Sequence, residues 1–274
     1  MQIEKKVHIL IVAGPTSSGK SDLAVELALE RNGEVISADS RQVYTGLDIG
    51  TGKITESKMR GVTHYCLDIA DTKENFSVFQ WVQEAEEAIK EIISEDKLPI
   101  VCGGTGMYID ALVYGLPNTL PRDTEFEEKY KHKTNKEILS EIKIISTEFE
   151  SQNQNNRRRL LRELEILKTN GYIPKRNREA KYEVEWVIID RPKQELLERI
   201  KIRTERRIDG IITETENLLK TISKEKLENI GIEYKETVNY LQNKISREEL
   251  IQNIITKSWQ YAKRQITWNK KYAK

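Results

Sequence analysis

The feature that most constrains this chain is the segment 14–21, which has the pattern G-x-x-x-x-G-K-[ST]. An apolar run, 7–13, precedes it, and the next stretch, 22–31, places leucines and alanines on one helical face. This order predicts a buried strand, a phosphate-binding loop and a helix. The candidate diphosphate- or nucleotide-binding residues are those of the loop: Gly14, Pro15, Thr16, Ser17, Ser18, Gly19, Lys20 and Ser21.

The chemistry of this loop follows from its backbone. Gly14 and Gly19 permit dihedrals that side chains disfavour, so the loop amides can turn inward beside the positive end of the helix. Lys20 adds a point charge, and the Ser21 hydroxyl is suited to hold Mg²⁺. Such a loop binds a diphosphate or a triphosphate; the alternative is a glycine- and serine-rich turn with a chance lysine. The motif leaves open which compound binds and whether a phosphoryl group moves.

Alternating strand and helix patterns predict an α/β fold, a P-loop NTPase-like doubly wound parallel sheet with a small helical insertion. The predicted strands are 7–13, 34–38, 65–69, 98–102 and 185–189, and the predicted helices are 22–31, 77–93, 107–113, 138–149, 157–168, 194–209 and 247–268. We expect the core domain to contain residues 1–120 and 156–274. The polar segment 121–155 is expected to form the insertion.

Length and composition exclude several classes of protein. The 274 residues fit one large domain, or a domain that carries a smaller one. No apolar run approaches the ~20 residues of a membrane-spanning helix, and we expect no signal peptide, because the first predicted strand begins at residue 7. Two cysteines and three separated histidines argue against a disulfide framework or a zinc site. We therefore expect a cytoplasmic protein that does not contact a membrane.

The net charge is only +1, but the basic residues are unevenly distributed. Residues 157–181 hold nine Lys or Arg against three Glu, and residues 257–274 hold six Lys or Arg and no acid. Two such clusters on a near-neutral chain indicate a localised surface for a polyanion. Solvated helix faces are an equally good interpretation of charge alone.

Two polar residues follow predicted strands and are candidates for the site. Asp39 ends the second strand, and Thr105 lies in the glycine-rich segment 103–106 after the fourth. In a doubly wound sheet, such strand ends face the ligand crevice. The alternatives are an aspartate that caps a turn and a tight strand-to-helix connection.

Taken together, these segments resemble one family, the tRNA dimethylallyltransferases, over almost the whole chain. The resemblance rests on Gly14–Ser21, Ala38–Tyr44, Gly103–Gly106, Arg157–Arg162, Asp190–Pro192 and Tyr261–Trp268. The chain departs from the family pattern in two places. Residues 153–156 read Asn-Gln-Asn-Asn where His-Pro-Asn-Asp is usual, and Arg207 stands where a methionine usually follows Arg203 by four residues. We expect the bacterial form of the family, which lacks the zinc-binding extension of eukaryotic relatives.

The resemblance implies transfer of a dimethylallyl group from dimethylallyl diphosphate to the exocyclic amine of the adenosine 3′-adjacent to the anticodon of tRNA. Asp39 would be the general base, Thr105 and Arg203 would complete the catalytic set, and Arg191 would help bind the diphosphate with Mg²⁺ on Ser21. The implied tRNA-binding residues are Asp39, Ser40, Arg41, Gln42, Thr105, Arg158, Arg159, Leu160, Leu161, Arg162, Lys263 and Arg264. The expected enzyme is a monomer whose insertion lies on the anticodon side of the tRNA.

Two other functions are compatible with parts of the sequence. A small-molecule or nucleotide kinase would use the same phosphate loop, but it leaves the basic carboxyl-terminal helix unexplained. A nucleotide-gated RNA-binding protein would explain the basic segments but would leave Asp39 without a role.

Overall fold

Five strands form one parallel sheet within the residues that this computed structural model describes, which are 6–116, 124–148, 151, 154–174 and 179–273. The strands are β1 (His8–Ala13), β2 (Gly33–Ala38), β3 (His64–Tyr65), β4 (Leu98–Gly103) and β5 (Glu183–Ile188). Their order in the sheet is β3-β2-β4-β1-β5. The predicted parallel α/β sheet is thus confirmed, including the return of the chain at β5, which pairs with β1.

The helices of the same residues are α1 (Lys20–Glu30), α2 (Glu56–Met59), α3 (Val78–Ser94), α4 (Gly106–Tyr114), α5 (Thr124–Lys129), α6 (Asn135–Ile145), α7 (Arg157–Asn170), α8 (Lys193–Leu218), α9 (Lys224–Ile230), α10 (Ile232–Leu241) and α11 (Arg247–Asn269). Helix α8 continues well beyond the predicted end at 209, and α9 and α10 were not predicted. Among the described helices, none has both the length and the apolar character that a membrane crossing requires.

The prediction of a third strand over 65–69 is mostly wrong. Only His64 and Tyr65 pair with β2. Cys66 and Asp68 adopt φ angles of 61° and 55°. These left-handed conformations are incompatible with an extended strand, so the ladder ends at Tyr65.

The sheet is buried on both faces, as its uninterrupted apolar strands require. Consecutive residues of β1, from Ile9 to Ala13, have no solvent exposure although their side chains alternate between the two faces. On one face, Leu10 and Val12 pack against Ala24 and Ala28 of α1. Helix α3 contacts β2 and β4, and it begins at a capping box in which Ser77 accepts a hydrogen bond from the Gln80 amide.

Residue contacts divide the chain into two compact units, Met1–Val113 with Ala180–Lys274 and, separately, Tyr114–Glu179. The second unit has its own apolar core, in which Ile138 and Ile142 of α6 pack against Leu160 and Leu164 of α7. The predicted insertion, 121–155, is therefore too short at its carboxyl end, and α7 does not belong to the core domain as predicted. The apolar spacing of α7 indicates a buried face but does not specify the partner helix. The predicted start at 121 lies outside the described residues.

We expect Gly103→Ala to lower the free energy of unfolding by about 1–3 kcal/mol, the usual cost of overpacking. A Cβ at Gly103 would overlap the backbone carbonyl of Ala38 on the neighbouring strand. Urea denaturation measures the change. Gly231→Ala is the control, because a Cβ there meets its nearest neighbour, Tyr234, at an ordinary 3.4 Å. Equal stability of the two variants would contradict this account of the β2–β4 contact.

Candidate active site

A cavity of about 790 Å³ opens in the first unit beside the carboxyl ends of β1, β2 and β4. This is the edge at which doubly wound sheets bind ligands. Its wall is formed by the phosphate loop, the segment 48–55, α8 and α11. The charged residues of the wall include Lys20, Asp22, Asp39, Asp48, Lys53, Lys58, Arg199, Arg203, Arg206 and Arg207. Basic groups predominate, which suits an anionic ligand.

The glycine conformation predicted for the phosphate loop occurs at Gly19 but not at Gly14, which has no positive φ. Gly19 has a φ of 92° and directly precedes α1, a region in which a side chain is strained. A Cβ on Gly14 would lie 2.8 Å from the Ser18 hydroxyl. The Lys20 ammonium lies 3.4 Å from the Pro15 carbonyl, folded back along the loop. Burial lowers the pKa of Lys20, while the negative charge of Asp39 nearby acts to raise it.

Gln265 of α11 joins the two glycine-rich connections. Its Oε1 accepts a hydrogen bond from the Thr16 amide at 2.7 Å, and its Nε2 donates to the Gly104 carbonyl at 2.9 Å. A Cβ on Gly104 would overlap this amide group. The carboxyl-terminal helix therefore fixes the phosphate loop relative to the segment that carries Thr105.

Three arginines of the α8 region contact the phosphate loop. Arg191 donates to the Ser18 carbonyl at 2.6 Å, Arg199 donates to the Ser17 carbonyl at 2.9 Å, and Arg203 donates to the Thr16 hydroxyl at 3.1 Å. Glu195 pairs with Arg191 at 2.8 Å and with Arg199 at 3.7 Å. The predicted neighbours of the loop, Arg191 and Arg203, thus lie beside it, and Arg199 joins them.

Asp39 and Thr105 lie at the ends of adjacent strands. The Thr105 hydroxyl accepts a hydrogen bond from the Ser40 amide at 3.2 Å, and the Thr105 amide donates to the Ala38 carbonyl at 3.2 Å. Asp39 Oδ1 accepts from the Arg41 amide at 2.9 Å. The alternative interpretation of Asp39 as a turn former is therefore correct for one oxygen. A carboxylate has a second oxygen for a ligand, and Asp39 lines the cavity.

A single carboxylate holds the segment 48–50, part of which lines the cavity. Glu214 of α8 accepts hydrogen bonds from the Asp48, Ile49 and Gly50 amides at 3.0, 2.6 and 2.9 Å. It also accepts one from the Tyr234 hydroxyl at 2.7 Å. Charged acceptors form the stronger class of hydrogen bond. Glu214 therefore fixes the segment from which Thr51, Gly52 and Lys53 enter the cavity wall.

The residues predicted to bind tRNA fall into different environments. Arg41, Arg158, Arg159, Lys263 and Arg264 are exposed, while Ser40, Gln42 and Arg162 are partly buried. Arg162 pairs with Glu165 at 2.7 Å. The assignment of Leu160 and Leu161 to a direct tRNA contact is wrong, because both are buried in the core of the second unit. Arg264 lies 5.6 Å from the ring centre of Tyr261, which lines the cavity.

Several residues of the site were given no role by the sequence alone. Arg199 and Arg207 had a usable signal, since with Arg203 they recur every fourth residue on one face of α8. Gln265 and Glu214 have no comparable signal in the sequence. Each acts on backbone groups more than 150 positions away along the chain, as the separations of 161 and 164 residues show.

Comparison with known proteins identifies the relatives of this chain. It matches the IPP transferase family over residues 42–272. It is 38% identical to the tRNA dimethylallyltransferase of Thermoanaerobacter sp. (strain X514), over 97% of this chain and 90% of that protein. The tRNA dimethylallyltransferase of Streptococcus sanguinis (strain SK36) is 35% identical, over 96% of this chain and 89% of its own.

Solved structures show the same relationship. The tRNA delta(2)-isopentenylpyrophosphate transferase of Staphylococcus epidermidis superposes with a TM-score of 0.70 at 30% identity, covering 97% of this chain and 90% of that chain. A eukaryotic dimethylallyltransferase acting on tRNA superposes with a TM-score of 0.81 at 26% identity, covering 96% of this chain and 70% of that chain. The sheet and its connections are therefore common to these enzymes.

We expect Glu214→Gln to loosen the segment 48–50. The glutamine amide is uncharged, and its NH₂ group cannot accept hydrogen bonds from the backbone amides. The hydrogen bonds that Glu214 makes to these amides, worth about 1.5–3 kcal/mol each, are therefore weakened or lost. Hydrogen exchange followed by mass spectrometry should show these amides exchanging at least about tenfold faster. Glu216→Gln, on the exposed side of the same helix, is the control. Unchanged exchange at 48–50 would show that other contacts hold the segment.

Proposed function

Because the chain belongs to the IPP transferase family, we propose that it transfers a dimethylallyl group to tRNA. The donor is dimethylallyl diphosphate, and the acceptor is the exocyclic amine of the adenosine 3′-adjacent to the anticodon. Diphosphate is the second product. The protein is in this proposal a tRNA-modifying prenyltransferase.

One observation carries this proposal beyond the family relationship. Asp39 and Lys20 line the same cavity, and the charge of Asp39 acts on the Lys20 ammonium. A carboxylate suits the removal of a proton from the acceptor, and a phosphate-binding lysine suits the retention of the leaving group. Prenyl transfer to an amine needs both functions next to each other.

The proposed reaction displaces diphosphate from C1 of the dimethylallyl group. The lone pair of the exocyclic nitrogen attacks C1 of the dimethylallyl group, and the C1–O bond breaks with its electron pair leaving on the diphosphate. Asp39 accepts the proton that the nitrogen loses. The Asp39–Arg41 backbone hydrogen bond orients the carboxylate, and Thr105 fixes the same turn through the Ser40 amide.

Cations of the phosphate loop and of α8 stabilise the negative charge that develops on the leaving diphosphate. Lys20 and Arg203 act directly, and Arg191 acts through the Ser18 carbonyl that it holds. The Ser21 hydroxyl would hold Mg²⁺ together with phosphate oxygens and water. This suits an ion that takes few protein ligands, and Ser21 is exposed on the cavity wall. Bound there, Mg²⁺ would neutralise charge on the leaving group.

An adenine stacked in an anticodon loop cannot reach Asp39, so we propose that the base is extruded, at a cost of a few kcal/mol. Ser40, Arg41 and Gln42 follow Asp39 and would contact the extruded nucleotide. Exposed cations of each unit, Arg158 and Arg159 in one and Lys263 and Arg264 in the other, would bind tRNA phosphates.

We also propose that the protein acts as a monomer and in the cytoplasm. The monomer is supported by the site itself, because the phosphate loop, Asp39, α8 and α11 all come from one chain. The cytoplasm is the compartment in which a bacterial tRNA is modified.

A labelling experiment tests the function against its main rival. The protein is incubated with unmodified tRNA and either labelled dimethylallyl diphosphate or labelled ATP. We expect the prenyl label to enter tRNA, and no phosphoryl transfer from ATP. Label from ATP in a small molecule or nucleotide, without prenyl transfer, would instead establish a kinase.

We expect Asp39→Asn to bind both substrates but to transfer the prenyl group about a hundred- to ten-thousand-fold more slowly, the usual cost of removing a general base. Asparagine can still accept the Arg41 hydrogen bond but cannot take the proton. Single-turnover kinetics measures the chemical step. Asp71→Asn is a matched control, because Asp71 makes the same turn, to Lys73 at 2.7 Å, outside the cavity. A near-normal single-turnover rate in the Asp39 variant would show that Asp39 takes no part in the chemical step.

We expect Arg158→Ala to weaken tRNA binding and to reduce the slope of log K against log salt by about one unit, the effect of one lost phosphate contact. Filter binding across a salt series measures both quantities. Lys90→Ala removes an equally exposed positive charge from α3 and should leave the slope unchanged. Equal slopes for the two variants would show that Arg158 lies on a solvated helix face and does not contact a tRNA phosphate.

A further inference from the structure

Arg207 differs from Arg199 and Arg203, which line the cavity with it. It lies one helical turn after Arg203 on α8 and contributes to the cavity wall. Arg191, Arg199 and Arg203 each donate hydrogen bonds to the phosphate loop. Nη2 of Arg207 is buried and has no hydrogen-bond partner in the part of the chain that the structure describes. A buried donor without a partner is costly, so it calls for a physical explanation.

The second unusual feature is the closeness of two guanidinium groups at Gly52. A Cβ on Gly52 would overlap Arg203 Nη2 and would lie 3.0 Å from Arg207 Nη1. Both groups therefore rest against the same backbone position, which has a φ of 65° and no side chain. Two guanidinium cations beside the same backbone position repel each other, and an anion between or beside them would offset this repulsion.

The nearby carboxylates do not serve this purpose. Glu214 is already engaged by three backbone amides and by the Tyr234 hydroxyl. Glu233 and Glu214 both influence Arg207 electrostatically, but among the described residues no carboxylate forms an ion pair with Arg207 within 4.0 Å. Burial, and then the charge of Arg203, lowers the pKa of Arg207 to about 10. The group remains a cation at neutral pH and has no carboxylate in direct contact among the described residues.

The position of Arg203 indicates which anion would fill this role. Arg203 donates to the Thr16 hydroxyl and lies 3.5 Å from the Ser17 hydroxyl, both within the phosphate loop. Arg207 continues the same row of cations away from the loop and along the cavity. A single phosphate would be satisfied by the loop and Arg203. A diphosphate extends further and presents additional oxygens for which a planar guanidinium is well suited.

We propose that Arg207 is a second diphosphate-binding arginine, which acts beside Arg203 on the phosphate group that the loop does not enclose. The proposal rests on the function proposed above and names one more contact of the same substrate. It also explains why Gly52 carries no side chain, since both guanidinium groups need the space next to its Cα.

Calorimetric titration with Mg²⁺ and inorganic pyrophosphate tests this without turnover. Loss of a hydrogen bond to a charged group should make pyrophosphate bind about ten- to a hundredfold more weakly to Arg207→Met than to the wild type. Arg207→Lys keeps the charge but not the planar fork, so a smaller loss is expected. Arg247→Met is the control, because Arg247 is an exposed arginine that pairs with Asp209 away from the cavity. It should bind pyrophosphate as the wild type does.

The steady-state kinetics should agree with the titration. We expect Arg207→Met to raise the KM for dimethylallyl diphosphate and to leave the dissociation constant for tRNA unchanged. Unchanged pyrophosphate affinity in both Arg207 variants would overturn the proposal, even if their stability fell, because it would show a purely structural role. Weakened tRNA binding with normal pyrophosphate affinity would overturn it equally. Failure of the wild type to prenylate tRNA would contradict the proposed function and is observed separately.

Discussion

The parallel pairing of β1 with β4 and β5 is the constraint on which the rest of this structure depends. The register places Ala13 beside Gly103 and Ile188, and it places Gly103 beside Ala38 on β2. Four strands therefore end at one level, and the segments after them begin at a common edge. The phosphate loop, Asp39, Thr105 and the approach to α8 become neighbours for this reason alone. Their chemistry is different, but a single set of backbone hydrogen bonds positions all of them.

Positive charge predominates in the cavity wall, and two carboxylates of α8 beside it have separate tasks. Glu195 pairs with Arg191 and Arg199 beside the loop, and Glu214 holds backbone amides. Neither forms an ion pair with Arg203 or Arg207, although the charge of Glu214 acts on Arg207 from a distance. Excess positive charge is therefore directed at the place where a diphosphate would lie, and Asp39 is held by its turn at the border of this region. An enzyme that must stabilise an anionic leaving group and remove a proton needs such a separation of roles.

The sequence predicted the features that local pattern determines. The phosphate loop and the buried strands each have a sequence pattern that one element produces by itself. Contacts between distant elements were not predictable in this way. Gln265 and Glu214 look like ordinary polar residues of long helices, and only the tertiary fold brings them to backbone groups. The predicted carboxyl-terminal bound of the insertion is wrong for the same reason. The apolar face of α7 would suit the core of either unit, and only its packing against α6 assigns it to the second unit.

The length of α8 explains how one helix can serve so many parts of the site. At 1.5 Å per residue, the fifteen positions from Arg199 to Glu214 span about 22 Å. Residues spaced by four then face the same side, so Arg199 contacts a loop carbonyl, Arg203 a loop hydroxyl, and Arg207 the space beside Gly52. Glu214 closes the row by fixing the segment that contains Gly52. The helix thus contacts both the phosphate loop and the segment that contains Gly52, and a shift along its axis would change all four contacts together.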